Sequence, residues 1–255
     1  MSSIFGRIAH RFFAANTKLS LLAERRLGWE SDKPFWAEFG DRVGASLQSC
    51  SPGDVVVDLG GGRRCVWVGA APAHVHLVAV DIDPDELAAN TVITDRRVGD
   101  VGKHLPFEDG EATVIVSRAL LEHVADVPHA VSEMARVLRP GGKALHFVPA
   151  RNSLFGVAAR LGPFGALKRI VHLAIPGSRG QVEFPVHYDH GTAGALETLF
   201  TDAGFSDVKV DVCYSQSGYF HPVFPIYLLV AAYQGIVKRL GARQLAAYLI
   251  VDATR

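Results

Sequence analysis

Two clusters of side chains in this 255-residue sequence have the composition of proton-handling groups: Glu122-His123, and His187-Tyr188-Asp189-His190. A histidine next to a carboxylate suits general acid–base work on a hydroxyl acceptor, because imidazole exchanges a proton near neutral pH. In an extended chain, alternate residues project to one side, so His187 pairs with Asp189 and Tyr188 with His190. A third set of residues is built for binding. Val55-Val56-Val57-Asp58-Leu59-Gly60-Gly61-Gly62 is an apolar run ending in an acid and three glycines. Glycines there let the backbone turn sharply and approach a ligand closely. Val78-Ala79-Val80-Asp81-Ile82-Asp83 places a carboxylate where both hydroxyl protons of a ribose can be accepted, and Asp100, after Gly99, is placed to receive an adenine amino group.

Elements that carry these groups to one place can be read from hydrophobic patterning. Apolar runs at Val55–Leu59, Val75–Asp81, Arg96–Gly99, Thr113–Ser117 and Lys143–Val148 alternate with helical stretches. Those stretches are Arg64–Ala71, Pro84–Thr91, Leu120–His123 and His129–Leu138. Runs without polar alternation suit strands covered on both faces, and β and α in alternation predict a parallel, doubly wound sheet. The last of these helices is expected to stop at Arg139-Pro140-Gly141-Gly142. Further on, the pattern predicts helices near Ala166–Ala174 and Thr192–Ala203 and strands at Val208–Tyr214 and Ala247–Val251. The expected organisation is an N-terminal helical cap (1–50), a binding core (51–149), a lid insertion over the acceptor (150–191) and a C-terminal return to the core (192–255), interrupted by an apolar insertion (216–242).

The order Asp58-x-Gly60-x-Gly62, Asp81, Gly99-Asp100, Leu105-Pro106-Phe107, Glu122-His123-Val124 and Leu138-Arg139-Pro140-Gly141-Gly142 resembles the class I S-adenosylmethionine (SAM)-dependent methyltransferases, particularly their small-molecule branch, type 11. The resemblance covers residues 53–149, with an echo at Ala203-Gly204-Phe205. It implies a Rossmann-like α/β fold: a doubly wound, mainly parallel seven-stranded sheet with an antiparallel last strand and helical lid insertions. It further implies that Asp58, Gly60, Gly61 and Gly62 flank the methionine part of SAM, with Asp58 near its ammonium. Asp81 would hold the ribose, Ile82 would pack on adenine, Asp100 and Val101 would contact the adenine edge, and Ser117 and Arg118 would line the sulfonium side through backbone groups. The chain departs from the family at Arg64, where a further glycine is usual. A dinucleotide fingerprint is not met, since Gly60-x-Gly62 lacks its third glycine.

For the chemistry, His123 is the first candidate for general base, with His187 and Glu122 beside it. His146, Tyr188, His190 and Tyr219 are candidate contacts to the acceptor. A bound Mg or Mn ion is a secondary expectation, with ligands drawn from Glu122, His123, His146, His187, Asp189 and His190. The aromatic and histidine content around 187–190 and 214–221 favours O-methylation of a saccharide or glycolipid hydroxyl. A lipid-like or quinone precursor, methylated on carbon or oxygen, is the alternative, and a non-catalytic SAM-fold interaction protein is the reading outside enzymes.

Composition narrows the remaining classes. Hydrophobic residues make up 49% and charged residues 20%, enough apolar material for a large core. Lys+Arg and Asp+Glu are both 26, so nucleic acid is not the expected partner. Three cysteines without a CxxC pair fit a reducing cytoplasm better than a disulfide scaffold. Residues 4–27 carry five Arg and Lys against Glu24 alone, with Ile4, Ile8 and Phe12 at helical spacing. A helix packed over the core is expected there, with adsorption to an anionic membrane as the sharper alternative. The apolar insertion must also be covered, by a homodimer partner, an acceptor pocket or a membrane contact.

Overall fold

The computed structural model describes residues 4–29, 31–161 and 185–255. Seven strands form one sheet in the order β3-β2-β1-β4-β5-β7-β6. They are β1 (Val55–Leu59), β2 (His76–Asp81), β3 (Asp95–Val98), β4 (Ala112–Arg118), β5 (Leu138–Pro149), β6 (Ser206–Cys213) and β7 (Tyr248–Thr254). β1 to β5 are mutually parallel, and β7 runs antiparallel between β5 and β6. This is the seven-stranded, doubly wound arrangement that the sequence resemblance implied.

Side-chain alternation explains why the strands read as unbroken apolar runs. Val57, Leu59 and Ile115 point to the face covered by α4 (Val127–Val137) and α6 (Ala193–Asp202), where they meet Met134, Leu196 and Phe200. Val56, Val114, Val116 and Phe147 point to the opposite face, covered by α2 (Lys33–Gln48) through Phe39, Val43 and Leu47. Both faces are therefore buried, as parallel sheets require. Phe147 is the centre of the second layer: its ring stacks on Trp36 at 3.7 Å between centroids and also packs against Phe39 and Tyr248.

Helix starts follow local capping. Asp83 accepts from the Asp85 and Glu86 amides to begin α3 (Pro84–Ala88), and Asp126 accepts from His129 N to begin α4. Thr192 caps α6, so neither Asp189 nor His190 is needed for that purpose.

Three expectations need correction or placement. The helix expected over Arg64–Ala71 is absent; one 3-10 turn, Val68–Ala70, is all the regular structure there. Val66 and Val68 are β-branched and Gly69 and Pro72 follow, a poor composition for a helix. β5 begins earlier than expected, at Leu138. Ala112 pairs with Leu138 and Val114 with Lys143, so residues 139–142 bulge opposite Thr113. Gly141 has φ +79° and a Cβ on Gly142 would lie 2.9 Å from the Arg139 carbonyl oxygen, which is why the bulge is made of glycine. The helix expected near Ala166–Ala174 lies outside the described residues. Within the apolar insertion, α7 (Phe224–Arg239) packs against α1 (Ile4–Leu27).

Phe147 supports α2, β7 and the sheet at once. Phe147→Ala is expected to lower unfolding free energy by about 3–5 kcal/mol, the cost of a large buried aromatic cavity, measured by urea titration.

Candidate active site

The carboxyl ends of β1, β2, β3 and β4 open into one cleft of about 950 Å³. Its first half is the expected cofactor side. Gly60 has φ +76° and Gly62 φ +35°, backbone states that favour glycine. A Cβ on Gly61 would come within 2.9 Å of the Asp58 carbonyl oxygen. Asp81, at the end of β2, accepts from Gly62 N through Oδ2 and from Asp83 N through Oδ1, both at 3.0 Å. Each oxygen keeps a second lone pair on the cleft side, the number needed for two ribose hydroxyls. Ile82 follows, 56% exposed at the cleft wall, an apolar side chain suited to a base. Asp100 turns its own loop by accepting from Gly102 N at 2.9 Å and pairs with Lys103 at 3.1 Å. Gly99 must be glycine, since a Cβ would sit 2.6 Å from Pro106 Cδ. The residues present therefore fit an adenosine group.

Not every expected cofactor residue is in the cleft. Gly60, Asp81, Ile82, Asp100, Val101 and Arg118 border it, while Gly61 and Gly62 shape the turn from behind. Asp58 is corrected in role. Strand alternation puts it on the α2 face with Val56, where Trp67 Nε1–H donates to Oδ1 at 3.1 Å and Cys65 adds a further bond. Burial, only partly offset by those bonds, raises its pKa to about 6. It fastens the loop after the glycines instead of meeting the ammonium. Ser117 is likewise enclosed, its Oγ 2.7 Å from His146 Nδ1 in the paired strand. His146 lies wholly buried under Phe200 on the α6 face, its pKa lowered to about 3 by that burial, so it does not reach the acceptor.

The second half of the cleft carries the proton-handling groups. Glu122 and His123 sit in the one-turn 3-10 helix Leu121–His123 after β4. Glu122 is buried in the cleft wall, and its Oε2 has no hydrogen-bond partner among the described residues. Burial raises its pKa to about 8, so the carboxyl is mostly neutral at physiological pH. Pro185 O is only an acceptor, so His123 Nδ1 at 2.8 Å must carry the hydrogen and Nε2 the lone pair. His123 Nε2 lies 3.8 Å from Glu122 Oε1. Burial holds the His123 pKa below its ordinary value.

His187, Tyr188 and Tyr219 also border the cleft; His190 does not. The segment 185–191 is pinned there by backbone bonds. Glu122 O accepts from His187 N at 2.8 Å, and Arg151 Nη1 donates to the Tyr188 and Asp189 carbonyls. Ala119 and Tyr188 hold left-handed backbone, φ +53° and +56°, a strained state for residues with a Cβ. Both lie on the cleft. Trp36, Tyr248 and Gln216 complete the wall and were not anticipated. Trp36 belongs to α2 and Tyr248 to β7; both pack on Phe147 and on each other, and β7 is held by pairing with β5 and β6. The proposed metal ligands are not assembled: among the described residues no group of three or more His, Cys, Asp or Glu could hold a metal ion.

Two substitutions test this geometry. In Asp81→Asn one oxygen is replaced by a donor, so one loop bond and one ribose acceptor are lost. SAM binding measured by titration calorimetry is expected to weaken about 10- to 100-fold. For Glu122, the native carboxyl keeps its proton up to about pH 8, while the unfolded chain releases it near 4.5, the ordinary value for glutamate. Between those values the unfolded state binds fewer protons, so stability falls as pH rises. Glu122→Gln removes that slope, and its gain over wild type is expected to be ~2–4 kcal/mol larger at pH 8 than at pH 5 in thermal unfolding.

Comparison with known proteins agrees with this arrangement. A profile described as "Methyltransferase domain" matches residues 29–210. A demethylmenaquinone methyltransferase of Mycolicibacterium gilvum is 32% identical over 157 residues, covering 61% of this chain and 63% of that protein. The matched region thus spans less than two thirds of that relative. A protein of the same name from Mycobacterium tuberculosis is 30% identical over 172 residues, covering 67% and 68%. Among solved structures, the geranyl diphosphate C-methyltransferase of Streptomyces coelicolor A3(2), bound to S-adenosyl-L-homocysteine, superposes with a TM-score of 0.56 at 15% identity, covering 86% of this chain and 76% of that one. That likeness is one of fold alone. By the match over 29–210 and the arrangement of its cleft, the chain belongs to the methyltransferase-domain family, in its class I SAM-dependent form.

Proposed function

We propose that the chain methylates a flat, lipid-like acceptor of the quinol type, on a ring carbon, with SAM as methyl donor. One observation carries the reading. The cleft wall beyond the cofactor side carries four aromatic side chains, Trp36, Tyr188, Tyr219 and Tyr248, and burial favours the neutral forms of its Glu122 and His123. A planar ring stacks on such a wall, and neutral polar groups do not oppose its transfer out of water. The relatives named demethylmenaquinone methyltransferase support the same acceptor class. A saccharide hydroxyl, favoured by the sequence alone, would use the same base, but it lacks this support.

When bound, SAM supplies an electrophilic methyl on a positively charged sulfur. Asp81 and Asp100 would hold its adenosine, and Gly60 would let it approach the sheet edge. The chain's own groups do the rest. His123 Nε2 takes the proton of the acceptor's ring hydroxyl, which makes the neighbouring ring carbon nucleophilic. The neutral Glu122 carboxyl donates a hydrogen bond to an acceptor oxygen and limits the charge that builds there. The ring carbon would gain the methyl as the sulfonium S–CH3 bond breaks, leaving a neutral thioether. The carbon's own proton would pass to water, and His123 would return its proton to the ring oxygen, restoring the aromatic hydroxyl. The aromatic wall orients the ring and excludes water.

The test is methyl transfer from labelled SAM to a demethylated naphthoquinol with a short prenyl tail, beside a panel of glycosides. Label is expected on a ring carbon of the naphthoquinol; label on a saccharide oxygen, or on neither, overturns the reading. His123→Ala is expected to lower kcat about 100-fold or more while SAM binding is retained. In wild type, kcat should rise with pH as His123 loses its proton, reach its plateau at a lower pH than an ordinary histidine would set because burial lowers that pKa, and fall again above about pH 8 as the Glu122 carboxyl ionises.

A further inference from the structure

Helices α1 and α7 pack against each other but leave much apolar surface uncovered. Asn16 Oδ1 accepts from Phe224 N, Ser20 Oγ donates to the His221 carbonyl, and Glu24 pairs with His221 Nε2 at 2.9 Å. These contacts define the inner face of α1. Away from it, Phe12, Leu19 and Leu22 are exposed at helical spacing. On α7, Ile226, Leu229 and Ile236, followed by Leu240, form a second exposed stripe, with Leu229 at 73% and Leu240 at 75% exposure. No described helix is long and apolar enough to cross a membrane.

The charge on the two helices has one sign. Arg11, Lys18 and Arg25 recur every seven residues, so they share one line along α1, beside the apolar stripe, and all three are exposed. The acid of that helix, Glu24, is turned inward on His221. Helix α7 contains no Asp or Glu and ends in Lys238-Arg239. In a chain whose Lys+Arg and Asp+Glu balance at 26 each, this is a strong local segregation. The short helix Ser217–Phe220, which brings Tyr219 to the cleft, leads directly into α7.

We propose that α1 and α7 form a docking surface for an anionic lipid bilayer, with the apolar stripes immersed at the interface and the basic line on the phosphates. An apolar stripe flanked by cations is the arrangement that lies in a membrane plane without spanning it. A second copy of the chain would bring like charges together, which disfavours it as occupant. The surface stands on these two helices alone. Delivery of a prenyl-tailed acceptor from the bilayer to the cleft beside Tyr219 rests on the quinol reading.

The test uses the full chain with phosphatidylcholine vesicles, with and without phosphatidylglycerol, in sedimentation at low and high salt. Binding is expected with phosphatidylglycerol and should weaken with salt. Arg11→Glu/Lys18→Glu/Arg25→Glu should weaken it at least about 100-fold, and Leu229→Ser/Leu240→Ser should weaken it on the same vesicles. Both variants change exposed side chains. They should keep the wild-type melting temperature and methyl transfer to a water-soluble short-tailed quinol. Failure of wild type to bind phosphatidylglycerol vesicles, or binding untouched in both variants, overturns the proposal. So does a wild-type dimer in analytical ultracentrifugation that Leu229→Ser/Leu240→Ser dissolves, which would assign the face to self-association. Vesicle binding without any quinol methylation leaves the surface standing and removes the acceptor assignment.

Discussion

The carboxylate of Asp81 ties together the two turns on which the cofactor side of the cleft is built. It accepts from Gly62 in the turn after β1 and from Asp83 in the turn after β2. The stretch that follows the glycines has almost no regular structure, so no helix holds Gly60–Gly62 in place. Fixing the backbone of such residues costs about 1–2 kcal/mol each. Hydrogen bonds to a charged acceptor contribute about 1.5–3 kcal/mol each, enough to offset part of that cost. Trp67 and Cys65 fasten the far end of the same loop on Asp58. Two aspartates therefore do the work that helix packing does in more regular turns, and one of them, Asp81, also borders the cleft.

The acceptor side rests on a different principle. Burial makes its ionisable groups neutral: the Glu122 carboxyl is raised, the His123 imidazole lowered, and the Tyr188 phenol raised, in each case chiefly by loss of water. A neutral acid and a neutral base 3.8 Å apart start without a buried charge, so a proton taken by His123 creates a single new cation there while Glu122 keeps its proton. The strained backbone at Ala119 and Tyr188 is held by Ala119 N on the Phe147 carbonyl and by Arg151 on the Tyr188 carbonyl. Strain of this kind persists only where the surroundings over-determine it.

Much of this was legible before any coordinates. The alternation of apolar runs and helices predicted the sheet, and the positions of Asp81, Ile82, Asp100, Glu122 and His123 after strand ends, with His187 ahead of the helix before β6, pointed to one cleft. What failed to be legible has two physical origins. Asp58 and His146 lie near the right strand ends but on strands with two buried faces, and apolar runs do not reveal which face each residue takes. Trp36 and Tyr248 lie far apart in the sequence and meet the cleft through packing on Phe147 and on each other, long-range contacts with no local signature. The missing helix after Gly62 was the one error of type, and Val66, Val68 and Pro72 were its available warning.

The bond between Cys65 and Asp58 also governs thiol chemistry. Burial, with the nearby carboxylate adding to it, raises the Cys65 pKa to about 12, so almost no thiolate exists at neutral pH. Alkylating reagents and peroxide react with the thiolate, so this sulfur is chemically quiet although it sits only three residues beyond the glycine turn. Cys50 is shifted in the same direction by its burial. The turn after β1 thus carries a cysteine held in its protonated, weakly nucleophilic form.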